Sequence, residues 1–547
     1  DIQGDVAVAA TASTSMIVVA GGIGLSSKIG VGASLSTTDV NNTIYAGVDG
    51  ASIDSIAGSV DISAGFAPPS VAKDSTALVK GLSGADLNNS EDDIPSDSQI
   101  INVTVAGAGS KDFALGAAVS LNWLQNDVQA YVRNDSTVTA EGNVQVRAVD
   151  NPELISVAVG LALGKNAGGA AVAYNYLGGD PTSSNGASYD ATSGAPGQVL
   201  AYIDNSTVES DSGKVSVTAD SSPSIVNVTV GGAGSTSISL AGSISINFMK
   251  TKVDASITGG STVTAATDVD VSATITPNMV IVAGSIAIST SSLAGSVAIA
   301  TNDMRSVIEG RIEGAGTNVT ATAGDITVAA EVLNSTDRPA VDLDDGDGNT
   351  ANDPIVDAQI WSFAISGAAG VGGSALAGAA TLNWIRNDVD AHISLGSEAH
   401  ADAGTVEVRA ADKAGLNSIA GGLAGASNAA IGGAIAYNYI GGDPDNPFSG
   451  NTRNQISASI DNATVTADTV EVTAISDGDI NSFSLAVAGS TGALAASGAL
   501  SLNFIRKNVT ADIGTGAQVT TTGDVLVKAE DTSNMLTGAG QLSIAGG

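Results

Sequence analysis

The heptapeptide Ala-Ala-Val-Ser-Leu-Asn-Trp at residues 117–123 alternates small and apolar side chains and ends in an asparagine followed by an aromatic residue. Alternation with a period of two is typical of a β-strand. The same design returns at residues 172–176, 243–248, 381–384, 436–439 and 501–504. A fixed internal period of this kind predicts one elongated repeat array in place of several globular domains.

The composition favours thin stacked sheets over a large globular core. Of the 547 residues, 67 are glycine and only 3% are aromatic, so the interior must be built from small side chains. The formal net charge of −36 excludes the basic stripe on which nucleic-acid binding depends. Cysteine is absent, so ladder hydrogen bonds, stacking or bound ions must supply the stability that disulfides give to many secreted proteins. The sequence has no run of 18 apolar residues, so we predict no membrane helix.

The repeats define units and a longer period above them. Four units form a superrepeat of roughly 260 residues, and we predict one continuous solenoid over residues 1–547 with superrepeats at 16–278 and 279–534. Unit boundaries are predicted near Met16, Ile101, Leu154, Ile225, Met279, Ile360, Leu416, Ile480 and Met535. If each unit supplies two coils of roughly 20 to 30 residues, the rod is on the order of 75 Å long. One wider coil per unit, or hairpins in place of some coils, remain open alternatives.

Within a unit the pattern predicts strands almost throughout and no helix. Residues 215–218, 227–230 and 406–409 alternate with period two and are rich in valine and threonine. The fold class is therefore all-β, a parallel β-solenoid. Irregular segments at 68–98, 180–197, 337–357 and 443–455 interrupt the pattern, and we expect them to be surface loop insertions.

The repeated asparagine is the first candidate for a special role. An amide has two donors and one acceptor, so identical asparagines on successive coils predict a hydrogen-bonded ladder. The predicted members are Asn122, Asn175, Asn247, Asn383, Asn438 and Asn503. Thr38 replaces asparagine in one unit, and in another either Ala300 or Asn302 holds the place. A row of sugar-binding amides flanked by tryptophan and tyrosine is the functional alternative.

An acidic loop that is bent by glycine residues is the candidate metal site. Closely spaced carboxylate and amide oxygens are the ligands that Ca²⁺ prefers. The predicted ligands are Asp342, Asp344, Asp345, Asp347, Asn349 and Asp353. The loop imitates an EF-hand without matching it, since Gly346 occupies a ligand position, and a solvated acidic loop is the alternative. The two histidines, His392 and His400, share no zinc or triad spacing, and lysine and arginine are scattered along the chain, so we predict no enzyme activity.

Two pairs of short sequence segments resemble the repeats of a known family. Residues 204–208 followed by 215–219, and 511–513 followed by 524–527, resemble the strand repeats of giant filamentous-haemagglutinin-like and leukotoxin-type adhesins of Gram-negative bacteria. The resemblance implies a right-handed parallel β-helix that is secreted and displayed as a long fibre. We therefore expect an extracellular or cell-surface location and a structural or adhesive function.

The expected partners are neighbouring repeats or copies joined end to end, with host or cell-surface glycans or proteins as further candidates. The chain begins and ends at the same phase of the superrepeat, which predicts that residues 1 and 547 are cuts in a longer array. The alternative function is a carbohydrate-binding or polysaccharide-degrading β-helix protein.

Overall fold

Each repeat unit forms one wide coil, and successive coils stack through parallel strand pairs. The computed structural model describes residues 2–66, 100–179, 197–334, 358–441 and 453–546, and the statements below concern these residues. The described residues are 81% strand and contain no helix, so the all-β, parallel part of the prediction is confirmed. Within the described ranges, no helix is long and apolar enough to cross a membrane.

The first sixteen strands comprise the first four coils and, before them, one strand that pairs with the closing strand of the first coil. They are β1 (Val6–Ala12), β2 (Met16–Ser26), β3 (Ile29–Asp49), β4 (Ser52–Ser55), β5 (Val60–Phe66), β6 (Ile100–Ser110), β7 (Phe113–Arg133), β8 (Thr137–Ala140), β9 (Val144–Asp150), β10 (Glu153–Leu177), β11 (Gln198–Asp204), β12 (Thr207–Ser210), β13 (Val215–Ser221), β14 (Ser224–Thr258), β15 (Thr262–Ala265) and β16 (Val269–Ile275).

The remaining coils repeat the same order. Their strands are β17 (Asn278–Ser289), β18 (Leu293–Glu313), β19 (Asn318–Ala321), β20 (Ile326–Val332), β21 (Ile360–Gly370), β22 (Ser374–Ser394), β23 (Glu398–Asp412), β24 (Gly415–Ala426), β25 (Ala429–Ile440), β26 (Asn454–Asp461), β27 (Thr464–Ser476), β28 (Asp479–Ser490), β29 (Leu494–Ile505), β30 (Lys507–Ile513), β31 (Gln518–Thr521), β32 (Val525–Asp531) and β33 (Asn534–Ala545).

The second coil shows the path of the chain. β6 runs outward, turns at residues 111–112 and returns as β7, which is 21 residues long. The four-residue strand β8 and the seven-residue strand β9 then close the coil. We call β6 and its equivalents the outgoing strands, β7 and its equivalents the returning strands, and β8 and β9 with their equivalents the narrow and closing strands.

The pairing register shows that each unit is one coil. Met16 pairs with Ile100, Ile100 pairs with Leu154, and the same positions continue through the later units. The interpretation with two coils per unit is therefore wrong, because a strand pairs with its counterpart one whole unit away. The register also moves the second unit boundary from Ile101 to Ile100.

The interior of each coil changes from large to small side chains. At the base, valine, isoleucine and alanine from the returning, narrow and closing strands form the main core, with Val128, Val138 and Val146 fully buried. Leu124 and Ile100 belong to the apolar layer at the junction above it. Beyond this junction the outgoing strand and the first half of the returning strand form a thin double sheet, which we call the fin. Its interior is mostly asparagine, serine, threonine, alanine and glycine, with the fully buried Ile281 as a large exception.

Close contact between the two sheets explains the small residues inside the fin. A Cβ atom added at Gly116 would overlap the carbonyl oxygen of Leu161, and one at Gly169 would overlap that of Gly232. Larger side chains have no room there, so the large apolar residues of the alternating strands point outward. Ile23, Leu25 and Ile29 are 78%, 79% and 64% exposed.

The predicted insertions lie almost entirely outside the described residues, which end at 66, 179, 334 and 441 and resume at 100, 197, 358 and 453. One boundary needs correction, because Asn454 and Gln455 belong to β26 and pair with β30. Gly178 and Gly441 end the strands before two of the gaps with φ angles of +79° and +87°, a conformation that glycine adopts without strain.

Candidate functional site

A continuous column of buried amides runs through the base of the fin. Each amide nitrogen donates to the oxygen of the next asparagine along the stack. The Nδ2···Oδ1 distances are 2.8 Å for Asn122–Asn175, 2.8 Å for Asn175–Asn247, 2.8 Å for Asn247–Asn302, 2.7 Å for Asn302–Asn383, 2.7 Å for Asn383–Asn438 and 2.7 Å for Asn438–Asn503. The structure therefore brings together all six asparagines named from the sequence.

The two ambiguous units are resolved by the pairing register. Asn302 pairs with Asn247 and Asn383, so it holds the ladder position and Ala300 does not. Thr38 pairs with Asn122 at the first coil, where its hydroxyl accepts a hydrogen bond of 3.2 Å from Asn102. The amide column therefore ends at the hydroxyl group of Thr38 in the first coil.

Hydroxyl groups on the facing outgoing strands complete the amide hydrogen bonds. Asn302 donates to Ser362 at 3.0 Å, and Asn438 donates to Ser482 at 2.8 Å. An amide has two N–H donors, so in these two residues one serves the next asparagine and the other serves the opposite sheet, whereas Asn247 donates to Ser245 of its own strand. Sequence reasoning missed these serines, although a serine stands two residues after the unit boundary in four of the eight units, at Ser156, Ser362, Ser418 and Ser482.

The aromatic residues beside the ladder lie on the opposite side of the same strands. Consecutive strand residues point to opposite faces, so the asparagines face the fin interior and the rings face outward. Ring centroids are 5.9 Å apart for Trp123–Tyr174 and 5.6 Å for Trp384–Tyr437.

The six predicted amides bond to one another inside the fin, five of them with no exposed surface, so they offer no free donors to a sugar.

The aromatic row is interrupted once. Asp303 stands between Phe248 and Trp384 in the register, and its carboxylate accepts hydrogen bonds of 3.1 Å from Arg305 Nε. Asp303 is 2% exposed, so this charge pair is buried. Rows on both sides of it are continuous, with Tyr437–Phe504 centroids 5.7 Å apart.

A cluster of charged side chains occupies the outer surface of the returning strands below the fin. Lys252 Nζ lies 2.9 Å from Glu309 and 3.3 Å from Asp254. Arg311 bridges Asp254 and Glu313, each at 2.8 Å. Sequence inspection described lysine and arginine as scattered, which is wrong here, because residues more than 50 positions apart become neighbours when coils stack.

His392 extends the charged cluster to the next coil. Its Nδ1 lies 2.8 Å from Asp390 and its Nε2 lies 3.3 Å from Glu313. Burial alone would lower the pKa of His392, but the hydrogen bonds and charges of Asp390 and Glu313 raise the pKa above its ordinary value. The two carboxylates therefore extend the pH range over which His392 carries a positive charge, and the basic groups of the cluster are engaged by carboxylates.

Two buried carboxyl groups lie at corresponding corners of the second and sixth coils. Asp150 accepts a hydrogen bond of 2.7 Å from Asn126, and Asp412 accepts bonds of 2.9 and 3.0 Å from Asn387 and Asn454. Burial raises the pKa of Asp150 to about 7, and the Asn126 hydrogen bond offsets only part of this effect. Burial also raises the pKa of Asp412.

The predicted calcium ligands Asp342, Asp344, Asp345, Asp347, Asn349 and Asp353 lie outside the described residues. Among the residues that the structure does describe, no group of three or more histidine, aspartate or glutamate side chains is arranged to hold a metal ion.

The geometry defines the class of the protein as an all-β, solenoid-like stack with a buried amide ladder. No protein-family model, curated protein or solved structure matches the chain.

Proposed function

We propose that this chain is a structural and adhesive section of a large secreted bacterial surface or extracellular filament protein. In this proposal a right-handed parallel β-helix acts as a rigid rod for cell-surface attachment or fibre assembly. The observation that most supports it is the column of seven asparagines, because each coil is bonded to its neighbours by amides as well as by backbone ladders.

The interactions between neighbouring coils agree with a mechanical role. In a solenoid each coil contacts only its neighbours, so stiffness depends on the interface between coils. Here that interface contains backbone ladders, the amide column and the apolar base core. Each coil also presents the hydrogen-bonding edge that the next coil uses, which favours neighbouring repeats or copies joined end to end as partners.

The proposal includes no catalytic step. Among the described residues, the ionisable side chains clustered around Arg311 are carboxylates and cations that satisfy one another at 2.8 to 3.3 Å. A polysaccharide-degrading enzyme needs an acid and a base that reach the substrate. The carbohydrate alternative therefore depends on measured glycan binding or turnover.

Calcium binding by the acidic loop is part of the proposal. If Asp345 and Asp347 are ligands, millimolar Ca²⁺ raises the thermal unfolding temperature relative to EDTA, and Asp345→Asn with Asp347→Asn removes the increase. An unchanged unfolding temperature in the wild-type chain contradicts a stabilising calcium site.

Immunoelectron microscopy of the source cells tests the function. An antibody against this chain is expected to label filaments or the outer surface of intact cells, and external protease is expected to remove the label. Labelling only inside permeabilised cells contradicts the proposal, and turnover of a glycan by the purified chain favours the alternative.

A further inference from the structure

The two outer faces of the fin are largely apolar over the described stack, with Asn417 and Asn481 as polar residues near the base of the outgoing face. The outward residues of the outgoing strands form the outgoing face, and those of the returning strands from the tip turns to the row of Tyr174 and Tyr437 form the returning face. Neither face carries an aspartate, glutamate, lysine, arginine or histidine between the base and the tip turns. The chain has a net charge of −36, so its acidic groups are concentrated elsewhere.

The apolar faces are large compared with those of ordinary monomers. An outgoing strand of 11 residues at ~3.4 Å per residue, repeated over eight coils at ~4.8 Å, covers on the order of 1,400 Å². The largest apolar patch of a typical monomer is about 300–600 Å². A standard protein interface buries about 800 Å² on each partner, so each face is large enough for a stable contact.

The returning face carries a groove that runs along the stack. Its floor is one row of register-paired positions that hold alanine or glycine in seven of the eight coils, with Val297 as the exception. The row consists of Ala33, Ala117, Ala170, Gly242, Val297, Gly378, Gly433 and Gly498. Ile435 and Leu500, 45% and 46% exposed, belong to the row that forms one wall, and the part over the last four coils encloses about 490 Å³.

The glycines of this floor have no internal reason to be glycine. A Cβ atom added at Gly242, Gly378 or Gly498 would meet nothing within 4 Å, whereas the glycines inside the fin face opposing backbone. Glycine in a strand interior costs roughly 0.5–1 kcal/mol relative to alanine, and it often marks a place where another chain or ligand approaches closely.

The outgoing face carries a ridge in the same direction. One register row alternates large and small residues over the first seven coils: Ile23, Gly107, Leu161, Gly232, Ile286, Gly367 and Leu423. Ile23 and Ile286 are 78% and 57% exposed. Ridge and groove both run perpendicular to the strands, and both have the spacing of the coils.

We infer that the outgoing face of one copy packs on the returning face of a second copy, with the ridge seated in the groove. The two faces are complementary in shape and equally uncharged, and their coil spacing is identical. Because the contact joins different faces, it does not close on itself and produces a lateral stack of fins. A lipid surface fits less well, since the open edges of these sheets would be left without partners in hydrocarbon.

Sedimentation of matched variants tests the lateral contact. Wild-type protein is expected to form species larger than the 53.3 kDa monomer, and Ile435→Asp with Leu500→Asp is expected to weaken association at least tenfold. Ser272→Asp, on the outward side of closing strand β16, is the matched control and should associate like the wild type. Gly433→Leu fills the groove without adding charge and should also weaken association, with circular dichroism confirming that each variant is folded.

Cross-linking identifies the faces, since the chain has no cysteine of its own. Copies carrying Gly433→Cys are mixed with copies carrying Leu423→Cys and oxidised. The expected product is a mixed disulfide dimer, whereas copies carrying Ser272→Cys should give none with either.

Three results overturn the inference. The first is a wild-type monomer at concentrations of hundreds of micromolar. The second is association that survives the Ile435→Asp and Leu500→Asp changes, which places the contact elsewhere, such as at the ends of the stack. The third is flotation of a monomeric wild-type chain with neutral phosphatidylcholine vesicles, which makes lipid the occupant. None of these results concerns the extracellular location of the protein, so the proposed function is tested separately.

Discussion

Substitution of Asn247 by alanine interrupts the amide ladder at its third asparagine. The Asn247 side chain accepts hydrogen bonds from Asn175 and Asn227 at 2.8 and 3.0 Å, and it donates to Ser245 and Asn302 at 2.9 and 2.8 Å. After Asn247→Ala, the amide nitrogen of Asn175 and the amide oxygen of Asn302 lose their ladder partners in a region with no exposed surface.

The expected loss of unfolding free energy is about 4 kcal/mol, since each buried polar group left without a hydrogen-bond partner costs about 1–3 kcal/mol. Asn247→Leu, which nearly preserves the side-chain volume, should lose a similar amount, because hydrogen bonds and not volume determine the effect. Asn503→Ala is the matched control at the last ladder position. Asn503 is partly exposed, so water replaces its partners and the expected loss is about 1 kcal/mol.

Urea unfolding followed by circular dichroism measures these differences, and amide hydrogen exchange shows whether the third to fifth coils open first. Exchange is needed because repeat arrays unfold locally as well as globally. If Asn247→Ala costs no more than Asn503→Ala, the ladder does not stabilise the stack.

Two further predictions concern the fin interior and a buried carboxyl group. Gly169→Val should cost about 3 kcal/mol or more by forcing the two sheets apart. Gly242→Val, on the outer face, should instead raise the unfolding free energy by roughly 0.5–1 kcal/mol, because glycine is unfavourable in a strand interior and the site has room for a side chain. Equal losses in thermal or urea unfolding contradict the tight packing of the fin. The pKa of folded Asp150 is about 7 against an ordinary 3.8, so the folded chain keeps a proton that the unfolded chain releases between these values. The contribution of Asp150 to the unfolding free energy is therefore highest below pH 4, falls by about 4 kcal/mol as the pH rises to 7 and is constant above that. Asp150→Asn should remove this pH dependence, and a wild-type difference that persists unchanged in the variant contradicts the burial of the carboxyl group.

The alternating pattern was sufficient to predict parallel stacked strands and the contacts between asparagines. Asn122 and its counterparts occur once per unit at the same phase, so any in-register stack brings them together. The structure was required to assign Asn302 to the ladder position, because the local sequence of that unit allows two alignments.

The orientation of the fin strands was not accessible from the pattern. Alternation of leucine or isoleucine with glycine or alanine ordinarily places the large residue in the core. Here the two sheets approach so closely that only the small residues fit between them, and residues such as Leu25 face outward. The distance between the sheets is a tertiary property that no single strand encodes.

The number of coils per unit and the charged cluster have a similar explanation. A period-two strand looks the same in a narrow coil and in a wide one, and only the pairing partner distinguishes them. Lys252 and Glu309 lie in different units, so their ion pair depends on the register between units. The spacing of residues within one unit therefore does not predict this ion pair.

The most direct test of the stack is a distance between spin labels on equivalent positions of distant coils. Thr139 and Thr466 occupy equivalent positions of the narrow strands in the second and seventh coils, five steps apart. Nitroxide labels on Thr139→Cys and Thr466→Cys should give a distance near ~24 Å in pulsed electron paramagnetic resonance, because each step is one strand spacing of ~4.8 Å. A distance near ~48 Å would mean two coils per unit and would contradict the architecture described above.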